Sequence, residues 1–286
     1  MAAFRLADRP ETIEETAAQV TALGGTGIAI RADHTDERQV SALFRRVKKK
    51  HGHLDLIVND IWGGEELIEW GKPLWELTMS NARLLIERAV LSHITTSRYG
   101  IPLMLGRGKG LVIEVTDAVD FGYRSQFMYD HVKNAVLRLA FGLSEELRPH
   151  GIAAIALSPG FLRSEAMLDH FGVSEANWRD AGKADPHFLQ SESPRYVGRA
   201  VAALASDTKV MALTGRAFTS GQLARAYGFT DEDGAQPRAF AEYIAGCTDA
   251  VARKHFEEMH ASHGRFLQMF GDLPRGRGTR TLPRRR

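Results

Sequence analysis

Residues 110–133 read GLVIEVTDAVDFGYRSQFMYDHVK, and their pattern changes from that of a strand to that of a helix. Gly110–Val115 is a largely apolar run of six residues, which is typical of a strand covered on both faces of a sheet. A polar loop follows, and a helix is predicted over residues 127–147. The stretch therefore predicts a strand–loop–helix unit, the element from which α/β proteins are built.

The same stretch holds residues suited to proton transfer. Tyr129 and Lys133 are four residues apart, which places them on one face of the predicted helix. A nearby ammonium favours the phenolate form of a tyrosine, so that the tyrosine can give or take the proton of an alcohol. Thr116 ends the predicted strand, where ligands of such sheets bind, and its hydroxyl is placed to hold a substrate oxygen. Taken alone, the Tyr-x-x-x-Lys spacing also fits a boundary tyrosine beside a solvated lysine.

Similar units recur along the chain. Short apolar runs predict strands, and apolar residues at helical spacing predict the helices between them. The predicted strands cover residues 27–30, 54–58, 110–115, 152–157 and 210–218. The predicted helices begin near Asp8, Pro10 and Glu11 and after Asp36, and include residues 75–105, 127–147 and 195–205. This alternation indicates a doubly wound α/β fold, a parallel sheet with helices on both faces.

Composition and charge favour a soluble enzyme-sized domain. The 286 residues are 44% hydrophobic and 25% charged, and no apolar run approaches the length of a membrane span. The net charge of +2 comes from a tail, residues 273–286, that holds six arginines and no acid. The remaining residues carry 31 basic and 35 acidic groups, so a nucleic-acid surface is not expected. The single cysteine, Cys247, favours a cytoplasmic location.

Several motifs in order resemble the short-chain dehydrogenase/reductase family over residues 25–234. Thr116, Tyr129 and Lys133 match the family's Ser, Tyr and Lys in order and spacing. Residues 54–64 (LDLIVNDIWGG) resemble its strand and Asn-Asn-Ala-Gly turn, residues 158–164 (SPGFLRS) its Pro-Gly loop, and residues 213–216 (LTGR) the entry to its last strand. Residues 223–231 (LARAYGFTD) resemble the branch related to dehydrogenase/reductase member 1.

The resemblance implies a Rossmann-like fold and hydride exchange between NAD(P)(H) and a carbonyl or alcohol substrate, with NAD against NADP left open. It implies that Tyr129 is the acid/base, that Lys133 tunes it and binds the nicotinamide ribose, and that Thr116 holds the substrate oxygen. The implied cofactor contacts are Asp33, Asn59, Tyr129, Lys133, Pro159, Gly160, Leu162 and Ser164. Residues 161–194, including Trp178 and Phe188, are expected to shape an apolar substrate pocket. Homo-oligomers are expected to form through helices 75–105 and 127–147.

The chain also departs from the family pattern. No strand and G-x-x-x-G-x-G turn precede the resemblance, so the first two strands of the fold and the pyrophosphate cradle are expected to be missing. The turn has Asp60 in place of its second asparagine, and residues 89–93 (AVLSH) replace the family's Asn-x-x-Gly. We expect an incomplete Rossmann domain over 1–246, and a polar helix with a disordered Arg-rich tail over 247–286. Cofactor binding is expected to be no tighter than millimolar.

Three interpretations follow from these observations. In the first, the chain is an NAD(P)-dependent oxidoreductase. In the second, it is a non-catalytic or truncated relative that cannot bind the cofactor and acts as a binding or assembly module. In the third, an intact enzyme is encoded from an upstream start. A metal site is not expected, because His255, His260 and His263 lack the His-Glu-x-x-His pattern.

Overall fold

The computed structural model describes residues 12–270 and contains a parallel four-stranded sheet. The strands are β1 (Leu56–Asn59), β2 (Gly110–Val115), β3 (Ile152–Ser158) and β4 (Ala217–Thr219), in the order β1-β2-β3-β4. The predicted helix start at Asp8, Pro10 and Glu11 and the Arg-rich tail lie outside the described residues. The α/β class predicted from the alternating pattern is confirmed.

Helices cover both faces of this sheet. They are α1 (Ile13–Ala22), α2 (Glu37–His51), α3 (Met79–Ile86), α4 (Ser92–Gly100), α5 (Phe127–Leu147), α6 (Glu165–His170), α7 (Pro194–Ser206), α8 (Ser220–Tyr227), α9 (Phe240–Ala245) and α10 (Ala250–Gln268). The predicted helix at 127–147 is confirmed to the residue. The one predicted at 75–105 comprises α3, a π-helical turn at Glu87–Leu91, α4 and short 3₁₀ turns.

The core lies on the two faces of the central strands. Leu111, Ile113 and Ile155 face α7 and α8, where they pack with Leu204 and Leu223. The alternate residues of the same strands, Val112, Ile152 and Ala154, pack on the other face with Ile57, Met104 and Leu147. Every residue of β3 is buried, which explains its continuous apolar sequence, because side chains alternate between two covered faces.

The strand predicted at residues 27–30 is wrong. Within residues 12–270 this segment has no sheet partner, and the sheet edge nearest the N-terminus is β1. Gly27 instead packs on α1: its amide donates to Thr21 Oγ1 at 3.1 Å, and a Cβ added there would lie 1.9 Å from the Ala17 carbonyl oxygen. An extended apolar run becomes a strand only where a neighbour takes up its backbone hydrogen bonds.

The last predicted strand, 210–218, is too long by seven residues at its start. Val210–Leu213 forms a 3₁₀ turn, and only Ala217–Thr219 pairs with β3. Gly215, with a φ of +81°, turns the chain toward β3 and donates its amide to the Ala154 carbonyl at 2.8 Å. A glycine in this conformation interrupts a regular strand.

No helix between residues 12 and 270 combines the length and the apolar composition that a membrane crossing needs.

Candidate active site

The start of α5 positions the predicted catalytic tyrosine. Gln126 is the N-cap residue, with extended backbone angles, and its side-chain oxygen accepts the Tyr129 amide at 2.6 Å. This cap satisfies one of the free amides of the first helical turn and fixes where the helix begins. Tyr129 therefore lies in the first turn, and Lys133 follows one turn later on the same face.

The Tyr129 hydroxyl donates a hydrogen bond to the carboxylate of Asp117, with an Oη–Oδ2 distance of 2.7 Å. Its ring lies edge-on to Trp62, at a centroid distance of 6.0 Å, and 5.3 Å from the ring of Trp70. Burial, and then the charge and hydrogen bond of Asp117, raise the pKa of the Tyr129 phenol far above its ordinary value. The sequence-based expectation that Lys133 lowers the pKa of the phenol is not met, because burial and the hydrogen bond to Asp117 both favour the neutral phenol.

Lys133 turns its ammonium toward an aromatic ring. Its Nζ lies 3.9 Å from the ring centroid of Trp62 and 5.5 Å from that of Tyr129. Such a position is a favourable cation–π contact. Burial lowers the pKa of the Lys133 ammonium, and the negative charges of Asp117 and Asp60 oppose that shift. Lys133 is thus held beside Tyr129 by its contact with the Trp62 ring as well as by the spacing along α5.

Thr116 is buried, with 2% of its surface exposed, and lies where β2 ends. Its hydroxyl donates to the main-chain carbonyl of Lys133 at 2.8 Å, and its amide donates to the carbonyl of Leu157 at 2.9 Å. The threonine therefore ties the end of β2 both to α5 and to the strand that leads into Pro159 and Gly160. Since its proton is used in this bond, the hydroxyl can offer a substrate only its lone pairs.

Asn59 belongs to a buried polar network that the sequence reasoning missed. Its side-chain amide donates to Ser97 Oγ at 3.0 Å and to Glu114 Oε1 at 2.9 Å. The other oxygen of Glu114 contacts His93 Nδ1 at 2.6 Å, and His93 Nε2 lies 2.9 Å from the Ile61 carbonyl oxygen. The network braces the turn after β1 against β2 and α4. A glutamate inside the apolar run GLVIEV was the signal that could have revealed it, because a buried carboxylate needs partners.

The other predicted cofactor contacts have structural partners of their own. The Asp33 carboxylate accepts the amide and hydroxyl of Thr35 at 2.9 and 2.7 Å, which closes a turn before α2. Ser164 caps α6. Leu162 pairs with Glu192 in an isolated parallel bridge, and a Cβ added to Gly160 would lie 2.8 Å from Glu192 Oε2. The loop after β3 is therefore folded over the buried Glu192.

Residues 161–194 were expected to shape a substrate pocket, but Trp178 and Phe188 do not line an open pocket. They are 6% and 0% exposed and form a separate apolar cluster with neighbours that include Phe161 and Phe171. These aromatic residues give the segment a small core of its own. The aromatic side chains beside Tyr129 are instead Trp62 and Trp70, which lie after β1.

The residues fit one end of a nicotinamide dinucleotide. Tyr129, Lys133 and Thr116 lie at the carboxyl end of β2, next to the start of the Pro159–Gly160 loop, where ligands of parallel sheets bind. A pyrophosphate is usually held by a glycine-rich turn at a helix N-terminus, and residues 1–286 contain no G-x-x-x-G-x-G sequence. The fit therefore covers the nicotinamide end of the cofactor.

Comparison with known proteins defines the class. A family model described as short chain dehydrogenase matches residues 2–171, and the chain belongs to the short-chain dehydrogenase/reductase family. Among its relatives is "Dehydrogenase/reductase SDR family member 1". The Mus musculus protein is 33% identical over 229 residues, 78% of this chain and 73% of its own length. The Homo sapiens protein is 30% identical over 239 residues, 82% and 75% of the two chains. The predicted relation to this branch is confirmed.

Solved structures agree on the fold. A short chain dehydrogenase of Mycobacterium thermoresistibile superposes with a TM-score of 0.66 and 22% identity, covering 82% of this chain and 79% of its own. ElxO with NADP bound has a TM-score of 0.59 and 20% identity, covering 74% and 86%.

Proposed function

We propose that this protein exchanges a hydride between NAD(P)(H) and a small carbonyl or alcohol substrate, with Tyr129 as the acid/base. The observation that carries the proposal is the placement of Tyr129 and Lys133 together at the carboxyl end of β2. The Lys133 ammonium and the Tyr129 ring both contact Trp62. The nicotinamide supplies or accepts the hydride when it is bound. The protein's part is to orient the reactants and to move one proton at the Tyr129 oxygen.

The neighbouring residues divide the remaining tasks. Lys133 holds a positive charge beside the phenol and is the residue that would bind the nicotinamide ribose. Thr116, whose proton is donated to the Lys133 carbonyl, offers its oxygen to a substrate hydroxyl. Pro159, Gly160, Leu162 and Ser164 would meet the nicotinamide, Asn59 would support the turn beside it, and Asp33 would contact the adenine. The scheme leaves the choice between NAD and NADP open.

The substrate pocket is expected to be apolar beside Tyr129. Trp62 and Trp70 flank the phenol, and Trp70 is 60% exposed, so its ring offers a surface to a ligand. Aromatic rings of this kind exclude water and favour flat or alicyclic carbon skeletons over charged substrates. A small ketone or secondary alcohol with an apolar ring fits this environment.

A second candidate is a non-catalytic protein that acts as a binding or assembly module. The observation in its favour is that both predicted catalytic hydroxyls are engaged, Tyr129 with Asp117 and Thr116 with Lys133. The two candidates differ in one property, which is turnover at saturating cofactor.

Assembly through the two long helical regions remains part of the proposal. Leu91, Ile94, Phe127 and Phe141 are apolar residues of these regions with 38–49% of their surface exposed. A two-fold interface would cover them. We also propose that residues 1–246 form the catalytic body and 247–286 an extension, whose helix α10 stacks Phe266 on Phe121 at a centroid distance of 4.4 Å.

The direct test follows NADH or NADPH consumption by the 286-residue chain, at millimolar cofactor, with a panel of cyclic ketones. Consumption that depends on both ketone and protein supports hydride transfer. Its absence with every ketone and both cofactors would favour the second candidate.

A further inference from the structure

Asp117 connects the half-buried Tyr129 to the solvent. The Tyr129 ring lies against Trp62 and Trp70, whereas Asp117, directly after Thr116, is exposed. The 2.7 Å hydrogen bond between them therefore joins the phenol to a carboxylate that water reaches. A proton that moves along this bond passes from Tyr129 to an exposed group.

The loop that carries Asp117 is held in place from two sides. Arg124 donates from Nε to the Asp117 carbonyl at 2.7 Å, and its own amide donates to Asp130 at 3.0 Å. From α10, His263 Nδ1 accepts the Phe121 amide at 3.1 Å, and Ser262 Oγ accepts the Tyr123 amide at 2.6 Å. Because these bonds fix the main chain on both sides of the loop, the position of Asp117 is a feature of the fold.

Other candidate proton carriers near the site are already engaged. Thr116 donates to the Lys133 carbonyl. His93 has both ring nitrogens in contact, one with Glu114 and one with the Ile61 carbonyl. Within residues 12–270, Asp117 is the carboxylate whose side chain is hydrogen-bonded to the Tyr129 oxygen. The charged groups that face Tyr129 and Lys133 from the surrounding elements are Asp117, Glu65, Arg124 and Asp60.

We propose that Asp117 is the group with which Tyr129 exchanges its proton during turnover, a role that rests on the function proposed above. In alcohol oxidation, the substrate hydroxyl proton moves to the Tyr129 oxygen as the phenolic proton moves to the Asp117 carboxylate. A bound oxidised nicotinamide would accept the carbinol hydrogen with its electron pair, which leaves the carbonyl product. Asp117 then releases its proton to water, and carbonyl reduction follows the same path in reverse.

The relay makes a prediction about the phenol that needs no activity. In the full chain labelled with ¹³Cζ-tyrosine, the Tyr129 resonance is assigned by its loss in Tyr129→Phe. We expect this resonance to move in Asp117→Asn, because an amide accepts a hydrogen bond from the phenol more weakly than a carboxylate does. It should keep its wild-type position in Asp120→Asn, the matched control, which removes another acid of the same loop.

Kinetics complete the test. In alcohol oxidation at saturating cofactor, Asp117→Asn should lower kcat at neutral pH by ~10²-fold, the scale of lost acid–base catalysis. Asp120→Asn should keep the wild-type kcat.

The possible failures are distinguishable. A Tyr129 resonance that does not move in Asp117→Asn, or an Asp117→Asn variant with unchanged kcat, would overturn the relay while leaving hydride transfer intact. An inactive wild type whose Tyr129 resonance does move in Asp117→Asn would overturn hydride transfer, and would still support the hydrogen bond between Tyr129 and Asp117. Thermal melting of each variant confirms that it is folded.

Discussion

The hydroxyl of Thr116 donates a hydrogen bond to the main-chain carbonyl of Lys133, at an Oγ1–O distance of 2.8 Å. This bond joins the end of the strand β2 to the second turn of α5, seventeen residues along the chain. The position of Lys133 relative to the sheet therefore depends partly on a residue that was expected to act only on the substrate.

Replacing Thr116 tests this double role. Thr116→Val keeps the shape but loses the bond, and should lower the free energy of unfolding by about 1 kcal/mol, measured by urea denaturation. It should also lower turnover, because no oxygen remains for the substrate. Thr116→Ser keeps the hydroxyl and should retain most of the turnover. Equal turnover in the Val variant and the wild type would restrict Thr116 to a structural role.

Glu192 gives the protein an unusual dependence of stability on pH. It is 1% exposed, and burial raises its pKa to about 7, although Ser220 donates to it at 2.5 Å and Arg163 lies nearby. A carboxyl pKa raised on folding means that the folded chain favours the protonated form. The free energy of unfolding should therefore fall as the pH rises from about 4.5 to about 7, by about 3 kcal/mol.

Glu192→Gln removes this titration while keeping the shape. Its free energy of unfolding, measured by urea denaturation at pH values across that window, should change much less than that of the wild type. Glu145→Gln, at an exposed site, is the control and should behave as the wild type does. Parallel pH dependences for wild type and Glu192→Gln would refute the assignment.

Cofactor affinity tests how residues 1–286, which contain no G-x-x-x-G-x-G sequence, hold the pyrophosphate. Charge-assisted contacts of a pyrophosphate are worth about 1.5–3 kcal/mol each, so the loss of two or three weakens binding by several orders of magnitude. We expect residues 1–286 to bind NADH or NADPH with a Kd in the millimolar range in calorimetric titrations. A micromolar Kd would show that another segment of this chain cradles the pyrophosphate.

Much of the fold follows from local pattern, whereas the contacts at the site do not. β3 was predictable, because a strand buried on both faces has a continuous apolar sequence. α5 was predictable, because its apolar residues recur at helical spacing. Residues 27–30 were misassigned, because a strand also needs a neighbour that local pattern does not show.

The bond between Tyr129 and Asp117 could not be foreseen either. The Asp117 loop takes its shape from His263, which is 142 residues from its partner Phe121. Glu114 and His93 were missed for a related reason: their pairing joins two elements whose register emerges only in the folded sheet. Sequence reasoning thus identified Tyr129 and Lys133, and the structure shows the side chains that contact them, Asp117 and Trp62.

Assembly through α5 can be tested at one exposed position. Phe141 is 46% exposed on this helix. A charge placed there would be buried without a partner in a two-fold interface, so Phe141→Asp should convert dimers into monomers in light scattering at micromolar concentration. Leu189→Asp, at an equally exposed site outside both long helical regions, should leave the assembly unchanged. A monomeric wild type would contradict the proposed interface.

The central claim is that Tyr129 transfers the proton in hydride exchange, and one comparison tests it most directly. Steady-state turnover of wild type and Tyr129→Phe is measured at millimolar NADPH and saturating ketone, with Tyr227→Phe as a control far along the chain. Removing the phenolic proton should lower kcat by at least ~10²-fold, while Tyr227→Phe keeps the wild-type rate. A Tyr129→Phe variant that turns over as fast as the wild type would contradict the assignment.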